Sequence, residues 1–259
     1  MPSSVVSPDG TVLGFETLGA GPPLVLVHGT GADRHRWAPV RELLAERYRV
    51  HVLDRRGRGL SVGEAPEYDI WREAEDIAAV AESLGGDVYV VAHSYGAVCS
   101  LHAAQITAAF GRLVAYEPPR PKPGERVVSA DALARMRASA DPDEILSTFM
   151  REALRLPQST VDGMKGTPIW EARLGAAHTI ARELDCVEAF VADERLGKIA
   201  VPVRLFLGTE SPDYLRLAVE AVAERVPGAD IVPMVGQAHQ AMDFDPEQFV
   251  AAVFAFGPA

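Results

Sequence analysis

The apolar run Val88-Tyr89-Val90-Val91 leads directly into Ala92-His93-Ser94-Tyr95-Gly96, and small residues in a helical pattern follow from Ala97. This order predicts a buried strand, a sharp turn and a helix, with a serine at the apex. Such a turn lifts a hydroxyl clear of the sheet edge and aims the next residue's backbone N–H at the same space. A serine hydroxyl alone is a poor nucleophile and needs a base and an oxyanion site.

The rest of the chain repeats the strand–helix alternation. Val5-Val6 and Val12–Glu16 flank the turn signal Ser7-Pro8-Asp9-Gly10 and predict a hairpin. Leu24–Val27 reads as a strand, and Asp33 to Glu46 as a helix with Trp37, Val40, Leu43 and Leu44 on one face. Val50–Leu53 is the next strand. Ile70, Ala74, Ile77, Ala78, Ala81 and Leu84 form a helical stripe closed by Gly85-Gly86. The helix after the serine is expected to run to about Phe110, with Leu113–Glu117 as another strand. The expected fold class is α/β: a mostly parallel twisted sheet with helices on both faces.

The alternation stops at Pro118-Pro119-Arg120-Pro121-Lys122-Pro123-Gly124, because proline cannot continue a ladder. No strand pattern appears between Ser129 and Lys198, while Ile145, Phe149, Ala153 and Leu156 mark a helix. Strand character returns at Pro202–Gly208. Residues 120–198 are therefore expected to form a helical cap inserted into a core of residues 1–119 and 199–259.

At 259 residues and 48% hydrophobic content, the chain can bury a sizeable core. Its formal net charge of −11 argues against a nucleic-acid partner, which would demand a basic footprint. Two cysteines, Cys99 and Cys186, make no disulfide framework, and Cys99 is expected in the core. The first residues lack a basic start and a long apolar run, and no stretch reaches the ~18 apolar residues of a membrane span. The expectation is a cytoplasmic protein with no membrane partner.

Two further segments supply candidates for the missing groups. Leu24–Val27 runs into His28-Gly29-Thr30-Gly31, where glycine lets backbone approach a ligand and offer N–H donors. Val232–Val235 leads to Gly236-Gln237-Ala238-His239, a loop carrying an imidazole, the usual base for serine. The other six histidines are weaker candidates. His28 and His93 lie in motifs where the backbone matters; His35, His102 and His178 fall on predicted helices, and His51 in a strand. No pair has zincin spacing and no Cys/His cluster suggests a metal. Arg55, Arg56 and Arg58 are expected to shape their loop with solvated charges.

His28-Gly29, Asp54-Arg55-Arg56-Gly57-Arg58-Gly59-Leu60-Ser61, the serine turn and Gly236–His239, in this order, resemble the α/β-hydrolases over nearly the whole chain. The one departure at the turn is Ala92 where the family pattern has its first glycine. The resemblance implies Ser94 as nucleophile, His239 as base, and the backbone N–H groups of Thr30 and Tyr95 as oxyanion donors. Most relatives place the acid three residues past a strand-ending glycine, which here is Ser211, flanked by Glu210 and Asp213. Some, including certain haloalkane dehalogenases and zearalenone-type lactone hydrolases, place it after the strand that follows the turn's helix. Glu117 occupies that place and is the preferred acid, with Glu210 or Asp213 as alternatives.

Dehalogenase chemistry is excluded because those enzymes use an aspartate nucleophile. Thr167-Pro168-Ile169-Trp170 resembles a lactone-hydrolase segment whose tryptophan contacts substrate, which implies a substrate-binding role for Trp170. His28, Gly29, Phe149 and Met164 complete the expected binding set. A cap rich in apolar residues suggests a small hydrophobic ester or lactone as substrate, cleaved through an acyl-enzyme without a cofactor. Carbon–carbon bond hydrolysis, thioester hydrolysis and perhydrolysis use the same triad. A ligand receptor or pseudoenzyme on this fold is the rival of a different class.

Overall fold

The computed structural model describes residues 2–257; residues 1, 258 and 259, included in the expected core boundaries, lie outside these. In chain order the strands are β1 (Pro2–Val6), β2 (Val12–Leu18), β3 (Pro23–Val27), β4 (Arg49–Leu53), β5 (Val88–His93), β6 (Phe110–Tyr116), β7 (Val203–Gly208) and β8 (Asp230–Met234). The helices are α1 (Arg41–Leu44), α2 (Ile70–Ser83), α3 (Tyr95–Ala103), α4 (Ala130–Ala138), α5 (Pro142–Glu152), α6 (Gln158–Met164), α7 (Pro168–Leu174), α8 (Ile180–Ala189), α9 (Asp213–Ala223), α10 (Ala241–Phe244) and α11 (Pro246–Phe254).

The strands form one sheet in the order β1-β2-β4-β3-β5-β6-β7-β8. The pairings of β2 with β1 and β4 are antiparallel, and all the others are parallel. This is the expected mostly parallel α/β sheet. Side-chain alternation divides its two faces. Val25 and Val27 pack with Ala74, Ile77, Val98 and Leu101 from α2 and α3, while Leu24 and Leu26 pack with Trp37, Leu44, Phe249 and Val253 on the opposite face. Being covered on both sides, the inner strands read as unbroken apolar runs.

The strand order reverses at β3: β4 lies on one side of it, while β5, β6, β7 and β8 extend on the other. In open α/β sheets, ligands bind at such a switch point, beyond the carboxyl ends of the strands. The register aligns these ends, with Val27 beside Ala92, His93 beside Tyr116, and Tyr116 beside Phe206. The loops starting at His28, Ser94, Glu117 and Thr209 therefore emerge along one edge.

Helices α4 to α8 all fall between β6 and β7, and enclose a core of their own around Leu146, Phe149, Met150, Trp170, Ile180 and Leu184. Among the described residues, no helix is long and apolar enough to cross a membrane.

Two expected helices are shorter than their patterns suggested. Residues 33–46 form a 3-10 turn at Arg34–Trp37 and then α1, because Pro39 has no N–H with which to continue a helix. Helix α3 ends at Ala103, and β6 begins at Phe110 instead of Leu113. Ala109 already accepts a hydrogen bond from Val88 N–H, so pairing with β5 draws this segment into the sheet.

Candidate active site

Ser94 joins β5 to α3 with φ 57° and ψ −127°, a conformation that a residue with a side chain rarely adopts. Such strain costs about 1–3 kcal/mol and persists only where its surroundings enforce it. Here the Ser94 N–H is held by Tyr116 O at 2.8 Å, and α3 starts at the next residue. Close approach completes the turn. A Cβ on Gly96 would sit 2.4 Å from His28 O, and one on Gly29 would sit 2.8 Å from the Ser94 Cβ. Both positions therefore exclude a side chain, and the loop after β3 lies directly against the serine. Ala92, at the departure from the family pattern, is fully buried in β5 between Val27 and Ala115.

Glu117 is the first residue after β6, with φ 45° and its N–H held by Phe206 O. Its carboxylate is completely buried. Oε2 lies 2.6 Å from Nδ1 of His239, while Oε1 accepts hydrogen bonds from Gly208 N–H at 2.8 Å and from the Ser211 hydroxyl. Ser211, at the position where the sequence resemblance implied the commoner acid site, is thus a donor to Glu117. Glu210 is exposed, and Asp213, exposed as well, faces Arg216 at 3.4 Å. Among the described residues, neither hydrogen-bonds to His239, whose Nδ1 is taken by Glu117.

The His239 loop is anchored by two residues that the sequence did not single out for this. The Tyr116 hydroxyl donates to Ala238 O and accepts from Ala241 N–H at 3.2 Å. His93 places its ring 4.5 Å from the His239 ring, and its Nε2–H donates to His239 O at 2.7 Å. Burial, with the nearby His239 and Arg36, pushes the His93 pKa well below the ordinary histidine value, so this imidazole stays neutral and acts as a spacer.

Ser94 and His239 both border a cavity of about 30 Å³, together with Gly29, Thr30, His93, Phe149 and Leu154. Arg36, Arg173, Ala32 and Gln240 also line it, and the same four residues line a groove of about 700 Å³. The groove continues along the apolar Ala38, Pro39, Met164, Pro168, Ile169 and Ala172, with Asp33, His35 and Asp243 among them. The Thr30 and Tyr95 N–H groups donate to no acceptor among the described residues.

Not every expected binding residue reaches this space. Phe149 and Gly29 border the cavity, and Met164 lies in the groove. His28 is buried beneath the loop. Its Nδ1–H donates to Gly29 O, and its Nε2 accepts from Arg55 N–H at 3.2 Å. Burial and the charges of Arg55 and Arg58 push its pKa well down. It braces the loop instead of facing a ligand. Trp170 is buried in the core of the inserted helices, where its indole N–H donates to Asp143 at 3.0 Å. Its ring supports α5 and borders neither the cavity nor the groove.

The expectation of solvated arginines is also corrected. Arg55, Arg56 and Arg58 are buried, because buried carboxylates surround them. Arg55 pairs with Glu73 at 2.8 Å and with Glu183 at 2.9 Å, Arg58 pairs with the same Glu183, and Arg56 takes Asp76 at 2.7 Å. Glu183 lies on α8, so this network ties the inserted helices to the sheet. Among the described residues, no group of three His, Cys, Asp or Glu side chains could hold a metal ion.

The sequence pattern of the alpha/beta hydrolase family matches residues 24–252. Pimeloyl-[acyl-carrier protein] methyl ester esterase of Neisseria meningitidis is 30% identical over 240 residues, covering 87% of this chain and 89% of that enzyme. N-formylmaleamate deformylase of Pseudomonas putida is 40% identical over 112 residues, covering 42% of this chain and 41% of that enzyme. Among solved structures, an alpha/beta hydrolase from Sphaerobacter thermophilus superposes with a TM-score of 0.81 at 30% identity, covering 96% of this chain and 100% of that one. An esterase from Rhodococcus gives 0.76 at 28% identity, with 98% of each chain covered. Together with the serine turn at the switch point of the sheet, these matches show that the chain belongs to the alpha/beta hydrolase family.

Proposed function

We propose that this protein hydrolyses a carboxylic ester or lactone through an acyl-enzyme, with Ser94, His239 and Glu117 as its triad. The observation that carries this reading is the Glu117–His239 hydrogen bond of 2.6 Å, made by an imidazole that borders the same cavity as Ser94. Nδ1 of His239 donates to the carboxylate, which leaves Nε2 unprotonated and able to accept the serine proton. Ser94 Oγ attacks the carbonyl carbon as this proton moves to Nε2. The Thr30 and Tyr95 N–H groups stabilise the oxyanion. Collapse of the tetrahedral intermediate breaks the acyl–oxygen bond, and His239 returns the proton to the departing alkoxide. Water then attacks the acyl-enzyme by the same route and regenerates Ser94.

In this reading the inserted helices serve as a cap, and Met164, Pro168, Ile169 and Ala172 offer an apolar wall to a small substrate. The similarity to the methyl ester esterase and the Rhodococcus esterase supports ester hydrolysis. The deformylase match supports a second reading, in which the same triad removes a formyl group.

The test is a hydrolysis screen of aryl esters and lactones, with wild type and Ser94→Ala in parallel, combined with labelling by a fluorophosphonate. Turnover by wild type alone, with the label on Ser94, is the expected result. An active Ser94→Ala protein, or a label on another residue, overturns the mechanism.

A further inference from the structure

Arg173, on α7, lines both the cavity at Ser94 and the groove beyond it. Among the described residues, its guanidinium has no hydrogen-bond or ion-pair partner. The charges around it are Arg36, Asp243 and Asp33, and both carboxylates are engaged elsewhere. Asp243 pairs with Arg36 at 2.5 Å, and Asp33 binds the ring of His35 at 2.9 Å and its backbone N–H. Arg36 spends a second N–H on Met242 Sδ. The throat between cavity and groove therefore holds a guanidinium that no carboxylate contacts, with Asp33 and Asp243 acting on it only at longer range.

A partly buried cation without a contacting counter-ion is costly unless a ligand supplies the anion. A guanidinium matches a carboxylate particularly well, because two parallel N–H donors meet two oxygens. The cavity at Ser94, about 30 Å³, has room for a group of one or two water-sized atoms. The groove is far larger, and beside its apolar wall it carries Asp33 and Asp243 as well as Arg36 and Arg173.

We infer that Arg173 is a substrate-recognition residue, and that the substrate is a short-acyl ester whose leaving group carries a carboxylate. This deepens the ester-hydrolase reading and rests on it. The acyl group enters the cavity, the carbonyl lies at Ser94, and the leaving group occupies the groove with its carboxylate on Arg173. Burial and the proximity of Arg36 push the Arg173 pKa down to about 10, the direction that a bound anion reverses. At neutral pH the side chain remains a cation.

The experiment compares 3-acetoxybenzoate with 3-acetoxybenzamide, which differ chiefly in charge, on wild type, Arg173→Gln and Arg173→Lys. The quantity read is the ratio of their kcat/KM values. Wild type should favour the benzoate by about 10- to 100-fold, the usual range for one charge-assisted interaction. In Arg173→Gln the ratio should fall to near one, whatever the absolute rates, and Arg173→Lys should recover part of it. No preference in wild type, or an unchanged ratio in Arg173→Gln, overturns the inference.

Calorimetry with 3-hydroxybenzoate and 3-hydroxybenzamide reads the anion site without turnover. Benzoate binding that weakens at least tenfold in Arg173→Gln supports the site, and equal binding overturns it. Fluorophosphonate labelling of Ser94 separates a failure of this inference from a failure of the hydrolase mechanism. Thermal melts confirm that each variant is folded.

Discussion

Glu117 Oε2 lies 2.6 Å from Nδ1 of His239, although 122 residues separate them in the chain. The carboxylate is fully buried and holds three hydrogen bonds, so its position is set by β6, by the end of β7 and by the histidine loop together.

Glu117→Gln keeps the shape but removes the charge that orients and supports the imidazolium. The expected loss in kcat is on the order of 10⁴, as in the best-studied serine triad. Ser211→Ala should cost about tenfold, because Glu117 keeps its bond to Gly208 N–H. Glu210→Gln and Asp213→Asn should stay within about twofold of wild type, since both side chains are exposed. Steady-state kinetics on one ester for all four variants decides it. Collapse of the Glu210 or Asp213 variant with an active Glu117→Gln would reverse the assignment.

Gly96→Ala tests the close approach beneath the serine. The new methyl carbon would meet His28 O at 2.4 Å, and neither backbone can yield without moving the turn. A destabilisation of about 1–3 kcal/mol is expected from the overpacking, together with a loss of turnover. Urea unfolding and ester kinetics measure the two effects, and a fully active variant would show that the turn tolerates displacement.

Glu183→Gln should weaken the attachment of the inserted helices, because one carboxylate serves both Arg55 and Arg58. Removing one partner from a buried ionic cluster costs about 3–5 kcal/mol. Chemical unfolding gives the value. A loss below about 1 kcal/mol would mean that the arginines find other partners or water.

Acid should unfold the protein in two ranges. Burial, with Arg49 nearby, pushes the His51 pKa to about 4 from an ordinary 6.5. The unfolded chain binds that proton first, so this stability is complete above pH 6.5 and is lost as pH falls through about 4. The pKa of Glu183 is held down to about 2 by Arg55 and Arg58 despite a burial penalty in the opposite sense. Its contribution is complete above about pH 4.5 and is lost as pH falls towards about 2. Urea midpoints from pH 8 to 3 should therefore decline from about pH 6.5, where buried His28 and His93 act in the same sense, and His51→Gln should remove part of the first decline. An unchanged first decline in that variant would assign it to other groups.

Trp170→Phe should lower the thermal midpoint, through the lost indole bond to Asp143 and reduced packing, while kcat/KM stays within about twofold. A rise in KM without a change in stability would return Trp170 to the substrate.

Family and architecture were legible in the sequence because they rest on short-range patterns. Apolar runs, helical stripes and the serine between Val88–Val91 and Ala97 are local features, and their order along the chain defines an α/β sheet. The proline run after Glu117 marked where the chain leaves the sheet. Helix lengths were less legible, because Pro39 interrupts an apolar stripe and sheet pairing overrides helix propensity near Phe110.

The rest needed three dimensions. Which carboxylate meets His239 depends on how β6 and β7 end side by side, and no spacing records that Ser211 would turn its hydroxyl to Glu117. Arg55 and Arg58 looked like surface charges because Glu183, their shared partner, is more than a hundred residues away. Trp170 carried a resemblance to a ligand-binding position, yet its direction was decided by the packing of α5 against α7. Arg173 gave no signal in the sequence. An unpaired charge is a property of everything around it, and only the folded chain brings those neighbours together.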